Sequence, residues 1–145
     1  MKNVIKLIAL SLVLVMTMAI FASCGDKSGA IKTAFENEGY TVTTSSYEDL
    51  SSTAKGIIET ILDADDEQIE ELNKYEIIVC NKGLSLALVI KFPSTGDLES
   101  FLTTEDKDGN KNTDLYEDLK EDGAVNGNCL ILTLSSSAID IFKNA

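Results

Sequence analysis

The 145-residue chain sets 24 acidic residues against 12 lysines, a net charge of −12, and contains no His, Trp or Arg. The missing His removes the usual general base near neutral pH and the commonest zinc ligand, and the missing Arg removes bidentate clamps for carboxylate or phosphate. So acidic a chain repels polyphosphate, which argues against nucleic acid as a partner, and its length predicts one domain. At the N-terminus, Lys2 and Lys6 form a small positive head. Leu7–Phe21 follows as an apolar run interrupted only by Ser11 and Thr17, the layout of a secretory signal. The run is short for a membrane span, which needs about 20 apolar residues. Nothing basic follows to stop transfer, since the next charge is Asp26.

Phe21-Ala22-Ser23-Cys24 closes this segment, with two small residues leading into a Cys. It resembles the lipobox of bacterial lipoproteins, with Phe21 where Leu is usual, and the resemblance covers residues 1–24. It implies cleavage of residues 1–23, a diacylglycerol on the Cys24 thiol, and a domain held at the extracytoplasmic face of the cell membrane. Two acyl chains anchor stably where one is marginal, at about 0.8 kcal/mol per buried CH₂. Cleavage removes Lys2 and Lys6 and no acid, leaving 10 lysines against 24 acidic residues and a net charge of −14. Residues 24–29 read as the lipidated Cys and a short tether, reaching roughly 20 Å at about 3.5 Å per residue. Residues 30–145 read as a single domain, long enough to bury roughly two-thirds of its unfolded surface without a disulfide.

Ala30, Ile31, Ala34 and Phe35 fall at helical spacing before Gly39, which predicts a helix over 29–38. Tyr40–Ser45 alternates and is β-branched, a strand. A long helical stretch carries Leu50, Ala54, Ile57, Ile58, Ile61 and Leu62 on one face, and Asp65 or Asp66 caps a further turn with Ile69 and Leu72. Tyr75–Cys80 is a second strand, Asn81–Gly83 a hairpin turn, and Leu84–Phe92 a third strand. Along that third strand Leu84, Leu86, Leu88, Ile90 and Phe92 point one way, and Ser85, Ala87, Val89 and Lys91 the other. Pro93 ends it. Helices follow at Thr95–Leu102 and Asp114–Glu121 around a polar stretch, Thr103–Asn112. Asn128–Leu134 is a fourth strand, and Ser135–Ser137 cap a last helix carrying Ile139 and Phe142.

This pattern predicts an α+β fold: an antiparallel four-stranded sheet with helices on one face, a βαββαβ or ferredoxin-like core with extra N- and C-terminal helices. In that plan the second and fourth strands lie at opposite edges. Cys80 and Cys129 are then too far apart for a disulfide, even though an extracytoplasmic location permits one. Both read as buried, inert thiols.

Four other constellations bear on chemistry. Asp106, Asp108, Asn110, Asp114 and Glu117 fall at positions one, three, five, nine and twelve of an EF-hand-like calcium loop. Lys111 stands where the loop needs Gly, and the competing reading is a solvated turn rich in Asp, Asn and Gly. Ser52-Thr-Ala-Lys55 matches the S-x-x-K pattern of penicillin-recognising enzymes, and Lys27-Ser28-Gly29 imitates their K-T-G. Their order is reversed and no S-x-N element exists, so coincidence is the better reading. The acidic run Asp63, Asp65, Asp66, Glu67, Glu70 and Glu71 suits a helix N-terminus and its solvated face. Tyr40, Tyr47, Tyr75 and Tyr116 are groove candidates or half-buried packing residues.

No catalytic residue, metal ligand or cofactor is assigned; Cys24 is the one site residue. The expected function is a lipid-anchored, extracytoplasmic, non-enzymatic binding module for a protein or small molecule, its contact surface the open face of the sheet. The alternative is a metal-assisted hydrolase, or a calcium-stabilised module, at Asp106–Glu117.

Overall fold

In the computed structural model, which describes residues 26–145, the strand read at Leu84–Phe92 runs through the middle of the sheet. The chain forms α1 (Ser28–Asn37), β1 (Thr41–Ser45), α2 (Ser52–Leu62), α3 (Asp66–Leu72), β2 (Glu76–Lys82), β3 (Ser85–Lys91) and α4 (Thr95–Leu102). It continues with β4 (Thr104–Glu105), β5 (Lys111–Asn112), α5 (Asp114–Glu121), β6 (Val125–Asn126), β7 (Cys129–Thr133) and α6 (Ser136–Lys143). The signal segment 1–23 and Cys24 lie outside the described residues. Among the described residues no helix is long and apolar enough to cross a membrane.

The helices begin where side chains satisfy their first backbone donors. Ser51, Ser94 and Ser135 accept from the N–H groups of Ala54, Asp97 and Ala138. Asp65 and Gln68 cap α3 reciprocally, which decides between the two aspartates read as candidates. Gly39 ends α1 with φ at +83°, and Gly83 turns the β2–β3 hairpin with φ at +61°, conformations open to glycine at little cost.

The sheet order is β1-β2-β3-β7-β6, antiparallel throughout, with β4 and β5 forming a separate hairpin. The α+β class and the antiparallel sheet agree with the sequence reading; the ferredoxin-like order does not. That plan puts the second and last major strands at opposite edges, whereas here β2 and β7 flank β3 and β1 is an edge. The cause is β3 itself. Ala87, Leu88, Val89 and Ile90 are all fully buried, so both of its faces and both of its ladders need cover.

Helices accordingly lie on both faces, not on one as the sequence suggested. Residues opposite one another across a ladder share a face. Glu76, Lys91, Cys129 and Asn126 are aligned in this way. Lys32 of α1 pairs with Glu76 at 3.1 Å, and Asn126 donates to the Phe142 carbonyl of α6 at 2.8 Å, so α1 and α6 cover that face. The opposite face carries Val79, Leu88 and Leu132. Here Ala54 of α2 lines a recess with Val79 and Leu86, Phe101 of α4 packs on Phe92 with ring centroids 5.3 Å apart, and Gln68 of α3 donates to the Phe101 carbonyl at 3.3 Å.

The stretch read as a tether is part of this fold. Ser28 and Gly29 already belong to α1, and Ser28 is buried. The Lys27 N–H donates to Asn128 Oδ1 at 3.0 Å, and Asn128 Nδ2 donates to the Phe92 carbonyl at 2.8 Å. Asp26 accepts from the Ser28 N–H at 3.0 Å and pairs with Lys91 at 3.1 Å. The ion pair is half exposed, worth about 0–1 kcal/mol at such sites; the buried amide of Asn128 holds the segment. Asn128→Ala should therefore lower the urea unfolding free energy by about 1–3 kcal/mol, the cost of orphaning buried backbone groups.

Burial pushes the Asp26 carboxyl up, but the Ser28 N–H and hydroxyl and the Lys91 ammonium outweigh it and bring it from 3.8 down to about 2. Its contribution to stability is complete above pH 3.8 and is lost as pH falls toward 2. Asp26→Asn should flatten that part of an acid-unfolding curve and leave the curve near neutral pH parallel to wild type.

Candidate functional site

With both faces of the sheet covered, the open face expected as a contact surface does not exist. What remains open is a recess of about 520 Å³ between β1, the start of α2 and the β2–β3 turn. Its position follows from the order of the strands. As the edge strand, β1 leaves Thr43 and Thr44 exposed, and α2 passes over the sheet only from Ser52 onward. Val79, Leu86, Leu50 and Ala54 supply the apolar lining, while Thr43, Ser45 and Thr53 add hydroxyls. Asp49 is the one ionisable residue of the lining, and its carboxylate accepts from the Ser46 hydroxyl at 3.0 Å. Ser51 is occupied in capping α2.

Leu84 overhangs this recess. It is 106% exposed, and Leu134, the other exposed large hydrophobic among the described residues, is 83% exposed. Ala87 faces Thr133 at the end of the β3–β7 ladder, so Leu134 follows β7 on the Leu86 side of that end, and Leu84 lies two residues before Leu86. Sequence reasoning placed Leu84 and Leu134 inside strands, because alternation puts them in phase with core leucines. The missed signal was Gly83, whose left-handed turn includes Leu84 and starts β3 only at Ser85. A recess with an apolar floor, hydroxyl walls and a leucine rim can bind a neutral or amphipathic group. It pairs no acid with a base.

The calcium-like loop is a β-hairpin instead. Asp106 Oδ1 accepts from the N–H groups of Asp108 and Asn110, and Oδ2 accepts from the Asn110 side chain at 3.0 Å. The Asn110 amide that lowers the Asp106 pKa is thus a ligand from within the turn. Asn112 accepts from the Asp114 N–H at the start of α5, where Asp114 and Glu117 lie in the first helical turn. Among the described residues no three His, Cys, Asp or Glu are grouped to hold a metal ion. A second concavity of about 500 Å³ beside this hairpin is lined by Glu99, Glu105 and Lys111.

The remaining candidates serve the fold. Lys55 donates to the Glu48 carbonyl at 3.1 Å and lies over the Tyr47 ring, so it does not activate Ser52. Of the acidic run, Asp63 ends α2 in the left-handed region, Asp65 caps α3, and Asp66 and Glu67 occupy its first turn. Tyr40, Tyr47 and Tyr116 are buried. The hydroxyls of Tyr47 and Tyr75 donate to Glu59 and Glu71 at 2.9 and 2.8 Å. Burial, reinforced by those carboxylates, pushes both phenols up to about 12.

Cys80 and Cys129 are free and buried, as expected. The barrier between them is β3, which pairs Ala87 with Cys80 and Lys91 with Cys129. Burial pushes both thiols up to about 12, aided by Glu36 at Cys80 and by Asp26 at Cys129. Since the thiolate is the nucleophile, neither should react with iodoacetamide at pH 8 in the folded protein. Both should alkylate in urea, as read by intact mass. Comparison with protein-family models, with curated proteins and with solved structures found no match for this chain.

Proposed function

We propose that this chain is a bacterial lipoprotein, tethered by acylated Cys24 to the extracytoplasmic face of the cell membrane. Its role is to bind a protein or small-molecule ligand through the recess beside Leu84. The anchoring half of this reading is supported by the Phe21-Ala22-Ser23-Cys24 lipobox behind a charged head and an apolar run. The binding half rests on one observation: among the described residues, the fully exposed Leu84 stands at an open recess whose apolar lining is Leu50, Ala54, Val79 and Leu86. Exposed apolar clusters beside a concavity mark interaction sites, because desolvating them on binding is favourable. A metal-assisted hydrolase or calcium module at Asp106–Glu117 has less in its favour, because Asp106 spends both carboxylate oxygens inside its own turn.

Cys24→Ser should abolish incorporation of labelled fatty acid and release the chain from the membrane fraction; unchanged labelling overturns the anchor. A photo-crosslinking residue at Thr43 should give a discrete adduct in whole cells, and one at exposed Glu121 should not. Leu84→Ser with Leu134→Ser should reduce the Thr43 adduct severalfold. Equal adducts at both positions overturn the recess as the contact site.

A further inference from the structure

The manner in which the chain enters the domain constrains more than local stability. Asp26, Lys27 and Ser28 are fastened at the end of the sheet where β3 leaves and β7 begins. The fastening uses a buried side chain, Asn128, which is 3% exposed and bonds both the Lys27 N–H and the Phe92 carbonyl. The ladder is closed at the same place by the Phe92 N–H, which donates to the Asn128 carbonyl at 2.9 Å. Only Gly25 separates Asp26 from Cys24. Two trans peptide units cover at most about 7.6 Å between Cα atoms, so no free tether of 20 Å exists.

We propose, resting on the lipid-anchor reading above, that this end of the sheet lies directly against the phospholipid headgroups and that the Asn128 clamp fixes the domain's orientation there. The length of chain left between the acyl chains and the first fastened residue leaves room for nothing else. Two acids at this end are ion-paired, Asp26 with Lys91 and Glu76 with Lys32, in a mature chain of net charge −14 by the lysine and acid counts. The recess then points away from the bilayer. Six residue steps along β3 separate Lys91 from Ser85, a rise of about 20 Å, and Leu84 lies beyond Ser85. A rigid stem presents the binding rim at a set height above the lipid.

The test uses the lipidated protein in vesicles of phosphatidylglycerol and phosphatidylethanolamine that carry a headgroup-linked quencher. Thr95→Cys and Leu84→Cys place a fluorophore at exposed positions at the two ends of β3, while buried Cys80 and Cys129 stay unlabelled. The label at position 95 should be quenched severalfold more than the label at position 84. A Gly/Ser insertion of about twelve residues between Gly25 and Asp26, with a reach near 20 Å, should abolish that contrast without touching the fold. Asn128→Ala should narrow it. Equal quenching at the two positions in vesicle-bound protein overturns the fixed orientation and leaves the anchor standing. A chain that carries no fatty acid and floats with no vesicles overturns the anchor itself.

Discussion

The two-sided burial of β3 is the constraint from which the rest of this structure follows. Ala87 through Ile90 are withdrawn from water on both faces, and a strand achieves that only between two partners and beneath two layers of helix. β2 and β7 fill the partner positions, α1 with α6 form one layer, and α2 to α4 form the other. Once β3 is central, β1 and the two-residue β6 become the edges. The edge that β1 leaves uncovered, next to the late start of α2, is where the recess opens. The recess is thus a by-product of strand order.

The same centre fixes the entry of the chain. Asn128 sits at the point where β3 and β7 part, one of only two buried polar residues among the described ones. A buried amide is tolerable only if its donors and acceptors are used, and here they are used on Phe92 and on Lys27. An interaction needed to satisfy the sheet end therefore also ties the first described residues to it. The weak surface pair of Asp26 and Lys91 refines that attachment. It does not create it.

Much of the fold was legible in the chain because helices and strands announce themselves through local spacing. The helix at Thr95–Leu102, a cap at Asp65 or Asp66 and a strand within Asn128–Leu134 were each visible from neighbours within a few residues. Local failures occurred where a turn, not a period, decides. Leu84 is in phase with core leucines, and only the geometry of Gly83 takes it out of the strand. Asp106 to Glu117 has the spacing of a cation loop, yet a hairpin between Thr104 and Asn112 turns Asp106 onto its own backbone. The short β6 carries too few residues to show a period.

By itself the sequence determined the charge, the absence of imidazole and guanidinium chemistry, the lipobox-like Phe21-Ala22-Ser23-Cys24 and the succession of elements, since each depends on residue type or on spacing along one segment. The tertiary structure alone decided which strand is central, that helices cover both faces, that residues 26–29 are fastened rather than free, and that Leu84 stands exposed at a recess. Those outcomes depend on ladder partners and buried hydrogen bonds between residues up to about a hundred positions apart, as with Lys27 and Asn128. Local periodicity carries no record of such pairings.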